Sequence, residues 1–288
     1  MDALDSINRM LEAALADAAK DSPPKLAQAL RYAVFPGGAR LRPKLAMSVG
    51  WACGAQDLKT VVGAGAAIEL LHCASLVHDD LPCFDDADQR RGKPALHRIY
   101  GDQLAVLAGD ALIVMAFDVL ALASHGSPAT LSPLTRIISR AGGAAGGIAA
   151  GQAWECESKI DLSRYHCAKT GSLFSAATMA GAAAAGMAHE PWRAVGLLIG
   201  EAYQVADDIR DAVGDADQLG KPVGRDAALA RPSACRELGL EGAIARLKDL
   251  VQRSIDAVPD CPRRAELAAI IRQEAKRFLP EHLALLAA

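Results

Sequence analysis

Apolar side chains recur every three or four residues along most of this chain, and short breaks of Gly, Pro and charged residues separate the runs. In the first run Leu4, Ile7, Leu11, Leu15 and Ala18 share one stripe and Asp21-Ser22-Pro23-Pro24 ends it, which predicts an amphipathic helix. The same spacing predicts helices over 24–35, 41–53, 60–81, 103–124, 130–150, 162–188, 191–214, 232–258 and 263–279, with Pro280 breaking the pattern before a short apolar tail. The two-residue alternation of a half-buried strand is nearly absent. None of the breaks has the length or polarity of an interdomain linker, so one all-α domain over 1–288 is the expected architecture. Two runs of small residues, 141–147 and 181–186, are expected within helices, where they let neighbours approach closely or leave room for an apolar ligand.

Composition sharpens this picture. Hydrophobic residues make up 51% of the 288 but aromatics only 4%, so the interior must be built from Ala, Leu, Val, Ile and Gly, which favours helix over sheet. A net charge of -3 gives no general attraction to nucleic acid or to an anionic membrane, so basic residues must act locally. The seven cysteines form no Cys-x-x-Cys pair and several sit in apolar runs, the usage of a reduced, cytoplasmic protein. The start shows no basic segment followed by an apolar one, so no targeting leader is expected. The most apolar stretch, 104–123, carries Asp110 and Asp118 and reads as a buried helix rather than a membrane span.

Two acidic clusters stand out: His78-Asp79-Asp80-Leu81-Pro82-Cys83-Phe84-Asp85-Asp86, and Ala206-Asp207-Asp208-Ile209-Arg210-Asp211. Asp207 and Asp211 are four apart on a predicted helix and share a face; at ~5 Å with an effective dielectric of ~20 they repel by about 3 kcal/mol. Arg210 and Lys221 relieve part of that, so alone this cluster also fits a solvated helix face. The first cluster is harder to read so. Pro82 must end or kink its helix, which leaves Asp79 and Asp80 at the unfavourable C-terminal end of the macrodipole, where a bound cation offsets the cost. Carboxylates without His or Cys partners at ligand spacing favour Mg²⁺. Arg90-Arg91-Gly92-Lys93 follows at once, setting a phosphate-binding surface beside a cation-binding one, and a diphosphate would engage both. A glycine turn with two arginines, Phe35-Pro36-Gly37-Gly38-Ala39-Arg40-Leu41-Arg42-Pro43, is a further anion candidate. His72 precedes Asp79 by seven residues on the same helix face, and Lys169-Thr170-Gly171 and Gln204 place polar groups on apolar helices.

Together these residues resemble the trans-isoprenyl diphosphate synthases, the farnesyl and geranylgeranyl diphosphate synthase family. The resemblance runs in order from about Lys25 to Glu241 through GGARLRP, ELLHCASLVHDDLPCFDDADQRRGKPALH, GQAWE, KTG, YQVADDIRD and LGKPVGRD. The first motif is most similar to geranylgeranyl enzymes of carotenoid and bacteriochlorophyll pathways in photosynthetic bacteria. The resemblance implies a bundle of long helices around a deep cavity, usually a homodimer, joining isopentenyl diphosphate head-to-tail to dimethylallyl, geranyl or farnesyl diphosphate. It implies that Asp79 and Asp85 bind two Mg²⁺ ions and Asp207 a third, with Asp80, Asp208 and Asp211 holding metal-bound waters. Arg90, Lys169 and Lys221 would grip the allylic diphosphate, and Arg42, His72 and Arg91 the isopentenyl diphosphate. Lys169, Thr170 and Gln204 would serve catalysis, Gln204 and the Lys169-Thr170 backbone facing the allylic cation.

The chain also departs from the family. Ala39 stands where a lysine is usual, removing one isopentenyl diphosphate contact; either Arg40 or a more distant base compensates, or that substrate binds more weakly. Glu155 replaces an aspartate, and Arg231 a lysine. Chain length is expected to depend on the side chains below the first motif: Ala74 and Ser75 lie roughly 6–8 Å down the helix from Asp79. Small residues there favour growth beyond fifteen carbons, geranylgeranyl diphosphate being the expected product, with Leu71, Met115 and Phe117 as candidate floor; the other reading is that Ala74 and Ser75 simply let helices pack closely. The alternatives are a farnesyl synthase, a terpene cyclase of the same fold, or a noncatalytic partner subunit, which only Ala39 supports.

Overall fold

The computed structural model describes residues 3–35, 37–213 and 233–277. Within them lie α1 (Ala3–Ala18), α2 (Pro24–Val34), α3 (Leu41–Ala52), α4 (Leu58–Asp79), a hairpin of β1 (Gln89–Arg90) and β2 (Lys93–Pro94), α5 (Leu96–Tyr100) and α6 (Asp102–Ala123). There follow α7 (Pro128–Gly142), α8 (Ile148–Ala153), α9 (Leu162–His166), a π-helical turn (Cys167–Gly171), α10 (Ser172–Ala184), α11 (Trp192–Val213), α12 (Ala234–Asp256, bent at Gly239) and α13 (Arg264–Lys276). The all-α expectation holds, and most predicted helix limits fall within two residues of the observed ones.

The architecture is built round α4. Residues 60–71 of this helix are buried without a gap, as expected of a helix apolar on every side. It packs against α3, α6 and α10, with α1, α2 and α7 completing the shell. Asp57 starts it, its carboxylate accepting from the Lys59 and Thr60 amides, so the helix is capped at one end and delivers Asp79 at the other. A second core joins α3, α10, α11 and α13 around Phe174 and Trp192, and a third joins α11 to α12 around Ile209 and Leu247.

Three expectations need correction. The helix expected over 130–150 is two helices: α7 ends at Gly142, and Gly146 at φ +81° in the intervening run takes a conformation that side chains disfavour. The segment 162–188 carries an inserted π turn at the Lys-Thr-Gly motif. The helix expected to be buried over 104–123, α6, buries only one face on α4. Leu107, Val114 and Leu122 on its other face are 53%, 68% and 60% exposed. Both α4 and α6 are long and apolar enough to cross a membrane; α4 is a core helix of the bundle.

Candidate active site

The loop after α4 folds back on the helix that delivers it. Asp80 caps α4, and the Asp85 and Ala87 amides donate to the carbonyls of Asp79 and Asp80 at 3.0 and 3.1 Å, which brings Asp85 back beside Asp79. The hairpin then returns Arg90: its Nε donates to both Asp80 carboxylate oxygens at 2.9 and 3.2 Å, and its Nη2 bonds the same carboxylate. Arg90 Nη2 also lies 3.7 Å from Asp79. Burial pushes the Asp79 and Asp80 carboxyls above the ordinary aspartate range; Lys169 and Arg90 pull Asp79 back down, Arg90 and, less, His97 do so for Asp80, and Asp85 pushes both further up.

The opposite wall comes from the π turn. Lys169 Nζ lies 2.5 Å from Glu155 Oε1 and 3.4 Å from Asp79 Oδ1. Burial works against its charge, but Asp79, Tyr165 and Glu155 outweigh it and hold the ammonium above the ordinary lysine value. Glu155 also accepts from Tyr165 Oη at 2.7 Å and from Gln152 Nε2 at 3.1 Å. Gly151 lets α8 approach this turn, since a Cβ there would stand 2.5 Å from the Lys169 amide nitrogen. Sequence reasoning quoted Gln152 within GQAWE without a role, marked Glu155 only as a departure and missed Tyr165; the spacing of Gln152 and Glu155, one helical turn apart, was the available signal.

Thr170, next to Lys169, reaches the other acidic motif: its hydroxyl donates to Gln204 Oε1 at 3.2 Å. Gln204 Nε2 in turn donates to Asp208 one turn further along α11. Asp207 holds Arg210 at 2.6 Å, and Asp211 continues the same helix. Asp208 is buried and its second oxygen accepts from the Ala234 amide at 2.8 Å, tying α12 to α11, so this carboxylate carries a structural bond as well. Lys221 and Arg231 lie outside the described residues.

A basic pocket adjoins this site. The Gly37–Gly38 turn packs on arginines, a Cβ at Gly38 falling 2.9 Å from Arg91 Cζ, so the glycine turn and the Arg-Arg-Gly motif meet. Arg91 Nη2 lies 3.3 Å from His72 Nε2. Burial and the neighbouring Arg42, Arg91, Arg90 and Arg40 hold the His72 imidazole neutral, so Nε2 accepts the arginine proton and Nδ1 carries its own. Arg42 stacks 4.6 Å over the Phe174 ring, and its Nε is buried without a hydrogen-bond partner, a donor available to an anion. Arg40 does not compensate for Ala39. It turns inward at φ 52°, pairs with Glu69 at 2.7 Å with both side chains 2% exposed, and donates to the Val34 carbonyl.

Below Asp79 runs an apolar cavity of about 620 Å³ between α4, α6, α7 and α8. Leu71, Ala74, Ser75 and Phe117 line it as expected; Met115, like Phe117, packs against the main core but does not line the cavity, because two residues of helix turn it away from Phe117. Gly142, in the small-residue run expected to leave room for an apolar ligand, lines it too, whereas Ile138 and Ile148 carried no sequence signal of their own.

Among the described residues no three ligand-type side chains converge on one point. Mg²⁺ takes only one or two carboxylates from a protein and fills its octahedron with water and phosphate oxygens, so the oxygen-only set of Asp79, Asp85, Asp207 and Asp211 fits ions bridged by a diphosphate. The burial that disfavours the Asp79 charge is offset in the same way.

A polyprenyl synthetase family model matches residues 23–267. Over 97% of its length the chain is 52% identical to a geranylgeranyl diphosphate synthase of Cereibacter sphaeroides, covering 99% of that protein. It is 50% identical over 95% of its length to the enzyme of that name from Rhodobacter capsulatus, covering 96% of it. Among solved structures, a geranyltransferase of Helicobacter pylori complexed with magnesium and isoprenyl diphosphate superposes with TM-score 0.77 at 31% identity, over 96% of this chain and 98% of that one. An FPP/GFPP synthase of Zymomonas mobilis gives TM-score 0.75 at 31% identity over 94% and 99%.

Proposed function

The chain belongs to the polyprenyl synthetase family, and from that premise we propose that it condenses isopentenyl diphosphate with dimethylallyl, geranyl and farnesyl diphosphates to give all-trans geranylgeranyl diphosphate. It is a prenyltransferase of a magnesium-dependent family, and identity of about one half over nearly its whole length to two geranylgeranyl diphosphate synthases supports that product. The observation that carries the reading is the π turn, whose adjacent residues Lys169 and Thr170 reach Asp79 of the first acidic motif and, through Gln204, Asp208 of the second.

Arg90 and Lys169 bind the allylic diphosphate, with Lys221 assigned to the same task. Asp79, Asp85 and Asp207 are the assigned ligands for three Mg²⁺ ions, and Asp80, Asp208 and Asp211 hold their waters. When bound, the metal neutralises charge building on the departing diphosphate. Lys169 and Arg90 do the same from fixed positions, in a partly buried site where such charges act strongly. Gln204 Oε1 and the Thr170 hydroxyl face the allylic carbon as it becomes cationic. Arg42, His72 and Arg91 hold the isopentenyl diphosphate so that its double bond attacks that carbon, and the departing diphosphate takes the final proton. The apolar wall below Asp79 keeps water from trapping the cation.

Chain length follows from the cavity. Ala74 is buried with only a methyl group and Ser75 turns its hydroxyl to the His72 carbonyl, so nothing bulky blocks the chain before Leu71 and Phe117. The exposed apolar face of α6 supports a homodimer with this face covered by a second copy. The free cysteines support a cytoplasmic enzyme. The test incubates purified protein with Mg²⁺, labelled isopentenyl diphosphate and each allylic starter, and separates the dephosphorylated alcohols. Geranylgeraniol is the expected product; farnesol would overturn the chain-length reading, and no elongation would overturn the reaction.

A further inference from the structure

The helix α8 borders a second cavity, of about 710 Å³, that the condensation does not use. One side of its wall is largely apolar, from Ala141 of α7, Ala176 and Met179 of α10 and Leu197 of α11. Four arginines line it: Arg136 and Arg140, one turn apart on α7, Arg164 of α9 and Arg193 of α11. The acidic residues that line it are Glu157 and Glu190, and Glu190 lies 3.7 Å from His189. Arg164 stacks over Trp154 at 5.3 Å, while Arg136, Arg140 and Arg193 have no ion-pair partner among the described residues. Four guanidinium groups against two carboxylates leave the cavity cationic, and on the α10 side its two serines, Ser172 and Ser175, already donate to the Ala168 carbonyl and the Met179 sulfur, so that wall suits an apolar chain. A molecule with an anionic head and a single apolar tail satisfies both halves.

This cavity is coupled by shared residues to the one beneath Asp79. Ala149 and Ala153 line both, so α8 is a common wall, and Ala168, next to Lys169 on the π turn, lines the second. We propose that the arginine-lined cavity is a second binding site, for a phosphorylated lipid with one apolar chain, in contact with the helix that walls the elongation cavity. Only the choice of a prenyl chain as its tail rests on the function proposed above; the head-and-tail chemistry stands without it.

The test is calorimetric titration of the full chain with dodecyl phosphate and, separately, geranylgeranyl diphosphate, in Mg²⁺ and saturating inorganic diphosphate to fill the charged end of the elongation site. One molecule per chain is expected to bind, with affinity falling about tenfold or more in Arg140→Glu/Arg193→Glu and largely kept in Arg140→Lys/Arg193→Lys. Ala145→Trp, at an exposed position lining the cavity, should block binding with every charge in place, and thermal unfolding verifies that each variant is folded. Tighter binding of geranylgeranyl diphosphate identifies the reaction's own product as the source, and equal binding identifies lipid phosphates in general; both keep the site. Absence of binding, or binding indifferent to both the charge reversal and Ala145→Trp, overturns it. The elongation assay of the wild type reads the proposed function separately, since dodecyl phosphate binding needs no turnover.

Discussion

Lys169 and Asp79, ninety residues apart in sequence, stand 3.4 Å apart, and Glu155 holds the same ammonium from its other side at 2.5 Å. Lys169 is thus fixed between the carboxylates of Asp79 and Glu155 before any substrate arrives, which is the preorganisation that stabilises developing charge. Replacing Lys169 by Ala should lower kcat by about a hundredfold or more, the scale of removing one oriented charge stabiliser. Single-turnover kinetics with farnesyl diphosphate check this; a variant impaired only in KM for isopentenyl diphosphate would place Lys169 elsewhere.

The raised carboxyl of Asp79 predicts a pH dependence of the metal-free fold. Burial lifts its pKa in the folded state above the unfolded value, so its contribution to stability is present at low pH and lost as pH rises through the folded pKa. In chelator at pH 7, Asp79→Asn should therefore unfold at a higher temperature than the wild type, the advantage shrinking as pH falls through the aspartate range. Mg²⁺ with diphosphate should stabilise the wild type far more than the variant. Thermal scans over pH with and without metal test both signs.

Filling the elongation cavity should shorten the product. Ala74 is 1% exposed and its side chain borders the cavity under Asp79, so Ala74→Phe places a ring across the path of the growing chain. Farnesol should replace geranylgeraniol as the main alcohol while turnover of dimethylallyl diphosphate persists. Leu71→Ala, deeper along the same face, should lengthen the product. Unchanged product from both variants would show that another wall sets the length.

The Arg40–Glu69 pair fastens the glycine turn to α4, and both side chains are 2% exposed. Arg40→Met strands the Glu69 charge in the core and should destabilise the protein by about 3–5 kcal/mol, whereas Arg40→Met/Glu69→Leu should recover much of that. Denaturant unfolding of the two variants decides whether the pair acts through burial of a lone charge.

The outer face of α6 should hold two copies together. Val114 is 68% exposed at its centre, and Val114→Glu/Leu107→Glu should shift sedimentation from dimer to monomer. A wild type that sediments as a monomer would end the idea.

The helices were legible in the chain because their signal is local: a three-to-four-residue period places apolar side chains on one face wherever that face is buried. Most departures arise because local spacing does not say what lies opposite. The period of α6 is apolar on two faces, and only the position of α4 decides which is covered. The glycines of 142–147 look helical by the company they keep, but glycine has little preference for helix and the chain turns there instead. Arg40 and Arg42 read alike in sequence, and the fold sends one into the core onto Glu69 and leaves the other with a free donor beside His72 and Arg91.

The sequence by itself determined the chemistry, since two aspartate clusters and an arginine pair specify oxygen ligands and anion donors wherever they come to lie. Which groups converge was decided by tertiary structure. The π turn between α9 and α10 sets Lys169 against Asp79 and Thr170 against Gln204, and the extra residue in that turn rephases the two side chains. The size of the cavity was decided the same way, by four helices whose contacts depend on packing across the whole bundle rather than on any one segment.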